Sequence, residues 1–95
     1  MNIIAIIPNR PGALINLLLA FALKGTNIEE FRTQSVVGRP GHCAFYLTAK
    51  ANSHSSIHEV VDTDQLHAAA LDWAVADEFP ETITTTDDYK IIFFF

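Results

Sequence analysis

The residues best suited to binding chemistry lie in the segment Pro8-Asn9-Arg10-Pro11-Gly12-Ala13-Leu14, between a β-branched run and a long apolar run. The first N–H groups of a helix have no intrahelical acceptor and lie at the positive end of the helix dipole, where they attract carboxylate or phosphate. Gly12 lets a ligand approach the backbone closely, and Arg10 offers a charge-assisted contact. The segment therefore predicts a ligand-binding loop, although Asn9, Pro11 and Gly12 also suit simple helix initiation.

Other reactive side chains do not form a recognisable catalytic or metal-binding set in the sequence. His54 and His58 are four residues apart, but no carboxylate or cysteine completes a ligand set at a known spacing. His42 and Cys43 are adjacent in a predicted strand, so their side chains point to opposite faces and do not pair as base and nucleophile. We expect a protein that is not an enzyme, with no catalytic residues, no bound metal and no cofactor.

Length and charge limit the classes of partner. The 95 residues predict one domain spanning 1–95, and 49% hydrophobic content is enough for one core. A net charge of -5, from 6 basic and 11 acidic residues, disfavours nucleic acid and anionic membrane surfaces. The single cysteine, the lack of a visible signal peptide and an apolar stretch too short to span a bilayer predict a soluble, cytoplasmic protein.

The elements that position the loop follow from hydrophobic patterning. The run 2–7 is typical of a central strand, and a helix capped by Asn9 is predicted to continue to Lys24, before Gly25. The segment 27–37 is predicted to be a strand with a bulge near Glu29-Glu30, because its alternation changes parity there. The turn residues 38–41 and the alternation of 43–49 predict a hairpin with a third strand.

The second half of the chain is predicted to contain another helix and a strand-forming tail. Thr63 or Asp64 would cap the helix, which continues through Trp73 and Val75 and ends before Pro80. The tail, 82–86 and 89–95, has strand composition. The resulting βαββαβ order predicts an α+β, ferredoxin-like fold: an antiparallel four-stranded sheet with two helices on one face. The bare sheet face and the apolar first helix predict self-association.

The segment from Ile6 to Leu14, followed by Lys24-Gly25-Thr26-Asn27-Ile28, resembles an ACT domain, most closely the regulatory domain of prephenate dehydratases. The resemblance covers roughly residues 1–50. It implies a homodimer or larger homo-oligomer that binds an amino acid, typically phenylalanine, at the interface and modulates a partner enzyme of amino-acid biosynthesis.

The resemblance also assigns the site residues. The ligand would lie by Asn9, Arg10, Pro11, Gly12, Ala13 and Leu14 of one chain and touch Asn27 and Ile28 of the other. Where the dehydratase domain has Glu-Ser-Arg-Pro, this chain has Arg32-Thr33-Gln34-Ser35, and these four residues receive no role.

Two alternatives from other functional classes remain open at this stage. A small enzyme of the acylphosphatase kind would use an arginine and a glycine-rich loop at the first helix to hold phosphate, but Gly12 is the only glycine in this loop. An interaction module would use the apolar first helix and the aromatic tail only to assemble a complex. Turnover of an acyl phosphate would decide the first alternative. A protein that dimerises but binds no free amino acid would favour the second.

Overall fold

The computed structural model describes residues 1–52 and 54–95. Its elements, in chain order, are β1 (Asn2–Pro8), α1 (Ala13–Ala22), β2 (Ile28–Val37), β3 (His42–Ala49), α2 (Ile57–Val60), α3 (Thr63–Ala69), β4 (Asp72–Val75), β5 (Thr82–Thr85) and β6 (Ile91–Phe94).

The strands form one six-stranded mixed sheet in the order β4-β1-β3-β2-β5-β6. All neighbouring strands are antiparallel except β2 and β5, which run parallel and pair at Val36 with Ile83 and at Val37 with Thr84. The two end strands also meet, since the backbone N–H of Ile91 donates to Asp72 Oδ2 at 2.8 Å. The sheet is therefore a nearly closed barrel, and the predicted four-stranded antiparallel ferredoxin-like sheet is wrong.

The main cause of this error is the segment 72–75, which was predicted to be helical but forms β4. The helix α3 ends at Ala69, and Ala70 has extended dihedral angles. The Leu71 N–H then donates to the Ile6 carbonyl at 2.8 Å, and β4 pairs along β1. Because β1 is buried along most of its length, its second edge needs backbone partners that water does not supply. This tertiary requirement overrides the helical pattern of the isolated segment.

The sheet separates two hydrophobic clusters. One lies between the sheet and the helices, and we call it the helix-side core. The other fills the interior of the barrel, and we call it the barrel core. The helix-side core contains buried Ile3, Ala5, Ile7, Ala13, Leu17, Ala20, Phe21, Phe45, Leu47, Ala49, Val60, Val61 and Leu66. The barrel core contains buried Ile4, Ile6, Val36, Ala44, Tyr46, Ala76 and Ile83.

The second and third strands form the predicted hairpin, and the predicted bulge is confirmed. The register between β2 and β3 shifts between Ile28 and Glu30. The hairpin turn contains Gly38 and Gly41, both with positive φ. The bulge explains the parity change, because Ile28 packs on the helix-side core while Glu30 points to the other face of the sheet.

The tail forms two strands, as its composition predicted, and closes over the barrel core. Ile91 and Phe93 of β6 pack against that core, whereas Phe94 and Phe95 are exposed. Arg39 of the β2–β3 turn anchors the tail: its Nε donates to Thr85 Oγ1 at 2.9 Å and its Nη2 donates to the Thr86 carbonyl at 2.7 Å. The Arg39 guanidinium also lies 4.5 Å from the centre of the Tyr89 ring. The sheet face that the sequence analysis left bare is thus covered by the tail.

No helix among the described residues is long and apolar enough to cross a membrane.

Candidate ligand-binding site

The loop between β1 and α1 is held by two backbone hydrogen bonds, one to the β2–β3 turn and one to the end of β1. The Asn9 N–H donates to the Gly41 carbonyl at 2.8 Å, and the Arg10 N–H donates to the Pro8 carbonyl at 3.0 Å. The backbone of the loop is therefore ordered by its own contacts, while the Asn9 and Arg10 side chains remain exposed. Among the described residues, Arg10 has no ion-pair partner, so its guanidinium is available to a ligand.

The first helix begins later than the sequence predicted, because Gly12 rather than Asn9 occupies the N-cap position. Gly12 has φ 82°, a left-handed conformation that excludes it from the helix. The Ala13 N–H donates to the Arg10 carbonyl at 3.2 Å, and the first bond of the helix proper joins the Asn16 N–H to the Gly12 carbonyl. The helix also ends at Ala22 instead of Lys24.

The helix start has unsatisfied donors and a positive electrostatic character. No side chain of the described residues caps it, and no acidic residue lies in its first turn. Within the part of the chain that the structure describes, the N–H groups of Leu14 and Ile15 have no backbone acceptor. Free N–H groups at the positive end of the helix dipole suit a carboxylate or phosphate oxygen. Asn9 and Arg10 would then contact the rest of such a ligand.

The predicted loop residues differ in what they can offer. Pro11 and Gly12 are exposed, like Asn9 and Arg10. Ala13 is buried in the helix-side core, and Leu14 is half-buried against it. The side chains of Ala13 and Leu14 therefore fix the helix to the sheet, and the polar contribution of these two residues to a site is limited to the backbone.

Asn27 and Ile28 lie at the opposite end of α1 from the loop. The helix has 10 residues, which corresponds to a length of about 15 Å. Asn27 is exposed and its carbonyl accepts a hydrogen bond from the Lys50 N–H at 2.9 Å, while Ile28 is half-buried. One chain therefore does not bring Asn27 and Ile28 to the same small ligand as the loop.

The structure also contains an open cavity that the sequence analysis missed. Its volume is about 300 Å³, and it lies at the other end of β1 from the loop. It is lined by Met1, Asn2, Ala51, Asn52, Ser55, Val75, Ala76 and Asp77. Three segments distant in sequence meet there, so no local motif marks it. None of the predicted site residues lines this cavity.

The side chains considered for catalysis are arranged as structural groups. Cys43 is half-buried, and burial raises the pKa of its thiol, which disfavours the nucleophilic thiolate. The His42 ring lies on the other face of β3, 5.6 Å from the Tyr89 ring centre. His58 Nδ1 is 3.4 Å from Thr63 Oγ1. In residues 1–52 and 54–95, no group of three histidine, cysteine or carboxylate side chains could hold a metal ion.

Comparison with known proteins supports the fold and leaves the activity open. No protein-family model matches the sequence, and no curated protein matches it. A similar solved structure is that of GqqA, described as a novel type of quorum quenching acylase, with a TM-score of 0.65 and 18% sequence identity. The match covers 78% of this chain but only 38% of GqqA. At this identity the likeness shows a shared fold alone, and the chain spans well under half the length of that protein.

Proposed function

We propose that this chain is a non-catalytic regulatory domain of the ACT type, which binds a free amino acid through the loop 9–14 and thereby modulates a partner enzyme. The observation that carries the proposal is the start of α1, where no acidic residue lies in the first turn and, in residues 1–52 and 54–95, no side chain caps the unsatisfied N–H groups. These groups recognise a carboxylate, which every free amino acid carries.

The surroundings of the helix start favour a small zwitterion over a larger anion. Arg10 is the only basic side chain in the segment 8–14, and the chain as a whole has a net charge of -5. A ligand with several negative charges would be repelled by this overall charge, whereas one carboxylate can be satisfied locally. An amino acid also has an ammonium group, which the Asn9 side-chain oxygen can accept from. Phenylalanine is the first candidate, because the residues 6–14 and 24–28 resemble the dehydratase regulatory domain.

The experiment is isothermal titration calorimetry with each free amino acid, on the wild-type chain and on two variants at Pro11. Pro11→Asp places a carboxylate beside the helix start, where it stabilises the helix but competes with the ligand carboxylate. Pro11→Asn is the matched neutral control. Relative to Pro11→Asn, we expect Pro11→Asp to melt at a higher temperature without ligand and to bind the amino acid about tenfold more weakly.

The opposite signs of these two effects exclude loss of folding as the explanation for weaker binding. Equal affinities of the two variants, or no calorimetric signal from any amino acid at millimolar concentration, would overturn the proposal.

A further inference from the structure

The β2–β3 turn, residues 38–41, contacts both the tail and the loop 9–12 before α1, which we call the ligand loop. On one side the Gly41 carbonyl accepts a hydrogen bond from the Asn9 N–H at 2.8 Å. On the other side the Arg39 guanidinium donates to a hydroxyl and to a carbonyl of the tail, at 2.9 and 2.7 Å. One short turn therefore joins the ligand loop to an element that packs on the opposite side of the sheet from α1.

Arg39 also shapes the turn through its backbone. Its N–H donates to the Val36 carbonyl at 3.1 Å, and its carbonyl accepts a hydrogen bond from the His42 N–H at 3.3 Å. Gly38 and Gly41 on either side have positive φ, and glycine can leave such a conformation for many others at little steric cost. We therefore expect the geometry of the turn to depend on the attachment of the Arg39 side chain to the tail.

The tail is joined to the rest of the sheet by few backbone contacts. Among the described residues, β5 pairs with β2 only at Val36 and Val37, and the backbone ladder of β6 is with β5 alone. A segment attached in this way can open locally while the β1–β3 pair and the helix-side core stay folded. The tail therefore has two states, the docked one of this structure and an undocked one in which the barrel core is uncovered.

Tyr89, in the turn between β5 and β6, makes the docked state depend on the β2–β3 turn. Its φ of 63° is a left-handed conformation that residues with a Cβ disfavour. The Arg39 guanidinium lies 4.5 Å from the centre of the Tyr89 ring, and the His42 ring centre is 5.6 Å away. A strained conformation persists only where its surroundings hold it, so a mobile β2–β3 turn disfavours the docked tail.

We propose that the β2–β3 turn couples the ligand loop to the tail, so that an amino acid bound at the loop stabilises the docked tail. The identity of the ligand rests on the proposed function, whereas the coupling rests on the contacts of the turn. A docked tail fixes the Gly41 carbonyl and orders the loop before the ligand arrives, which lowers the entropy lost on binding. By linkage, the ligand favours the docked tail by the same factor. The amino acid thus controls whether the barrel core is covered or is open to a partner enzyme.

The coupling is tested first without ligand, by amide hydrogen exchange at Asn9. Phe93→Ala removes a tail side chain that packs on the barrel core but leaves Arg39 intact, and Arg39→Lys releases the tail at the turn. Both variants should speed exchange of the Asn9 N–H about fivefold or more. Phe94→Ala is the matched control, because Phe94 is 55% exposed at the next position of the same strand, and it should leave the rate unchanged. An unchanged Asn9 rate in Phe93→Ala, or an equal rise at the Phe45 amide in the centre of the sheet, would overturn the inference.

The second test adds phenylalanine, or whichever amino acid gives the largest calorimetric signal. At saturation it should slow exchange of the Ile91 N–H about fivefold, and Arg39→Lys should weaken its binding by a similar factor. Arg32→Lys is the matched control, because the Arg32 side chain donates to Glu30 rather than to the tail, and it should keep wild-type affinity. An amino acid that binds without slowing exchange at Ile91 would refute the coupling and leave the proposed function intact. If no amino acid binds, the proposed function fails, and the Asn9 exchange rates still decide the coupling.

Discussion

Asp72 and Ile91 join the two end strands of the sheet: Asp72 Oδ2 accepts a hydrogen bond from the Ile91 backbone N–H at 2.8 Å. Asp72 begins β4 and Ile91 begins β6, which are the first and last strands in the sheet order. A side chain thus replaces a backbone ladder bond at the point where the barrel closes. The carboxylate is half-buried there, so its hydrogen bond is shielded from water more than one on an open surface.

Removal of this closing bond should loosen the tail before it affects the rest of the sheet. We expect Asp72→Ala to lower the free energy of unfolding by about 1–2 kcal/mol, because the Ile91 N–H loses a charged acceptor. Asp72→Asn retains a neutral acceptor and should cost less. Chemical denaturation measures the stability, and amide hydrogen exchange at Ile91 reports the local opening. Unchanged exchange at Ile91 in Asp72→Ala would show that the contact does not hold the barrel closed.

Arg39 should be more important for stability than the other well-contacted arginine, Arg32. Arg39→Lys keeps the positive charge but loses the paired bonds to Thr85 and Thr86, and we expect a loss of about 1–2 kcal/mol. Arg32→Lys disrupts a solvent-exposed ion pair with Glu30 and should change stability by less than about 0.5 kcal/mol. Thermal denaturation of the two variants provides the comparison. Equal losses of stability in the two variants would mean that the two hydrogen bonds of the Arg39 guanidinium do not anchor the tail.

The Cys43 thiol should react slowly while the protein is folded. Burial raises the pKa of Cys43, so the folded state holds the thiol proton more tightly than the unfolded state does. The contribution of the Cys43 thiol to the free energy of unfolding is complete below the ordinary thiol pKa. It is lost as the pH rises through the folded-state pKa. Iodoacetamide at pH 8 should therefore modify the folded chain more slowly than the urea-unfolded chain. Faster modification of the folded chain would indicate an activated cysteine and reopen the enzyme alternative.

Much of the fold follows from local sequence signals, and the failures have a common cause. Patterns among neighbouring residues are enough to predict four features: the β-branched first strand, the bulge at Glu29-Glu30, the glycine-rich turn and the two tail strands. The segment Asp72–Val75 has no such determinant: Trp73 and Val75 fit either a helix or a short strand, and only the open edge of β1 decides between them. The tail was then assigned the place in the sheet that β4 occupies.

At the candidate site, too, the sequence predicts what neighbouring residues determine and misses what contacts between distant segments determine. The segment Arg10-Pro11-Gly12 identifies a helix start from its residue types, and the structure shows a helix beginning one residue after Gly12. The predicted N-cap, Asn9, with Pro11 and Gly12 in the first turn, is wrong, because Gly12 adopts a left-handed conformation and is itself the N-cap. The cavity around Met1 and Asp77 depends on the meeting of distant segments, so composition and spacing contain no signal for it.

The most direct test of the account is an NMR titration of the ¹⁵N-labelled chain with phenylalanine and with the other amino acids that give calorimetric signals. Phenylalaninol, which lacks the carboxylate, serves as the control ligand. We predict chemical-shift changes concentrated at the amides of Gly12, Ala13, Leu14 and Ile15 with the amino acid, and much smaller changes with the alcohol. Changes concentrated instead around the cavity of Asn2, Asn52 and Asp77, or equal responses to both ligands, would contradict a carboxylate site at the start of α1.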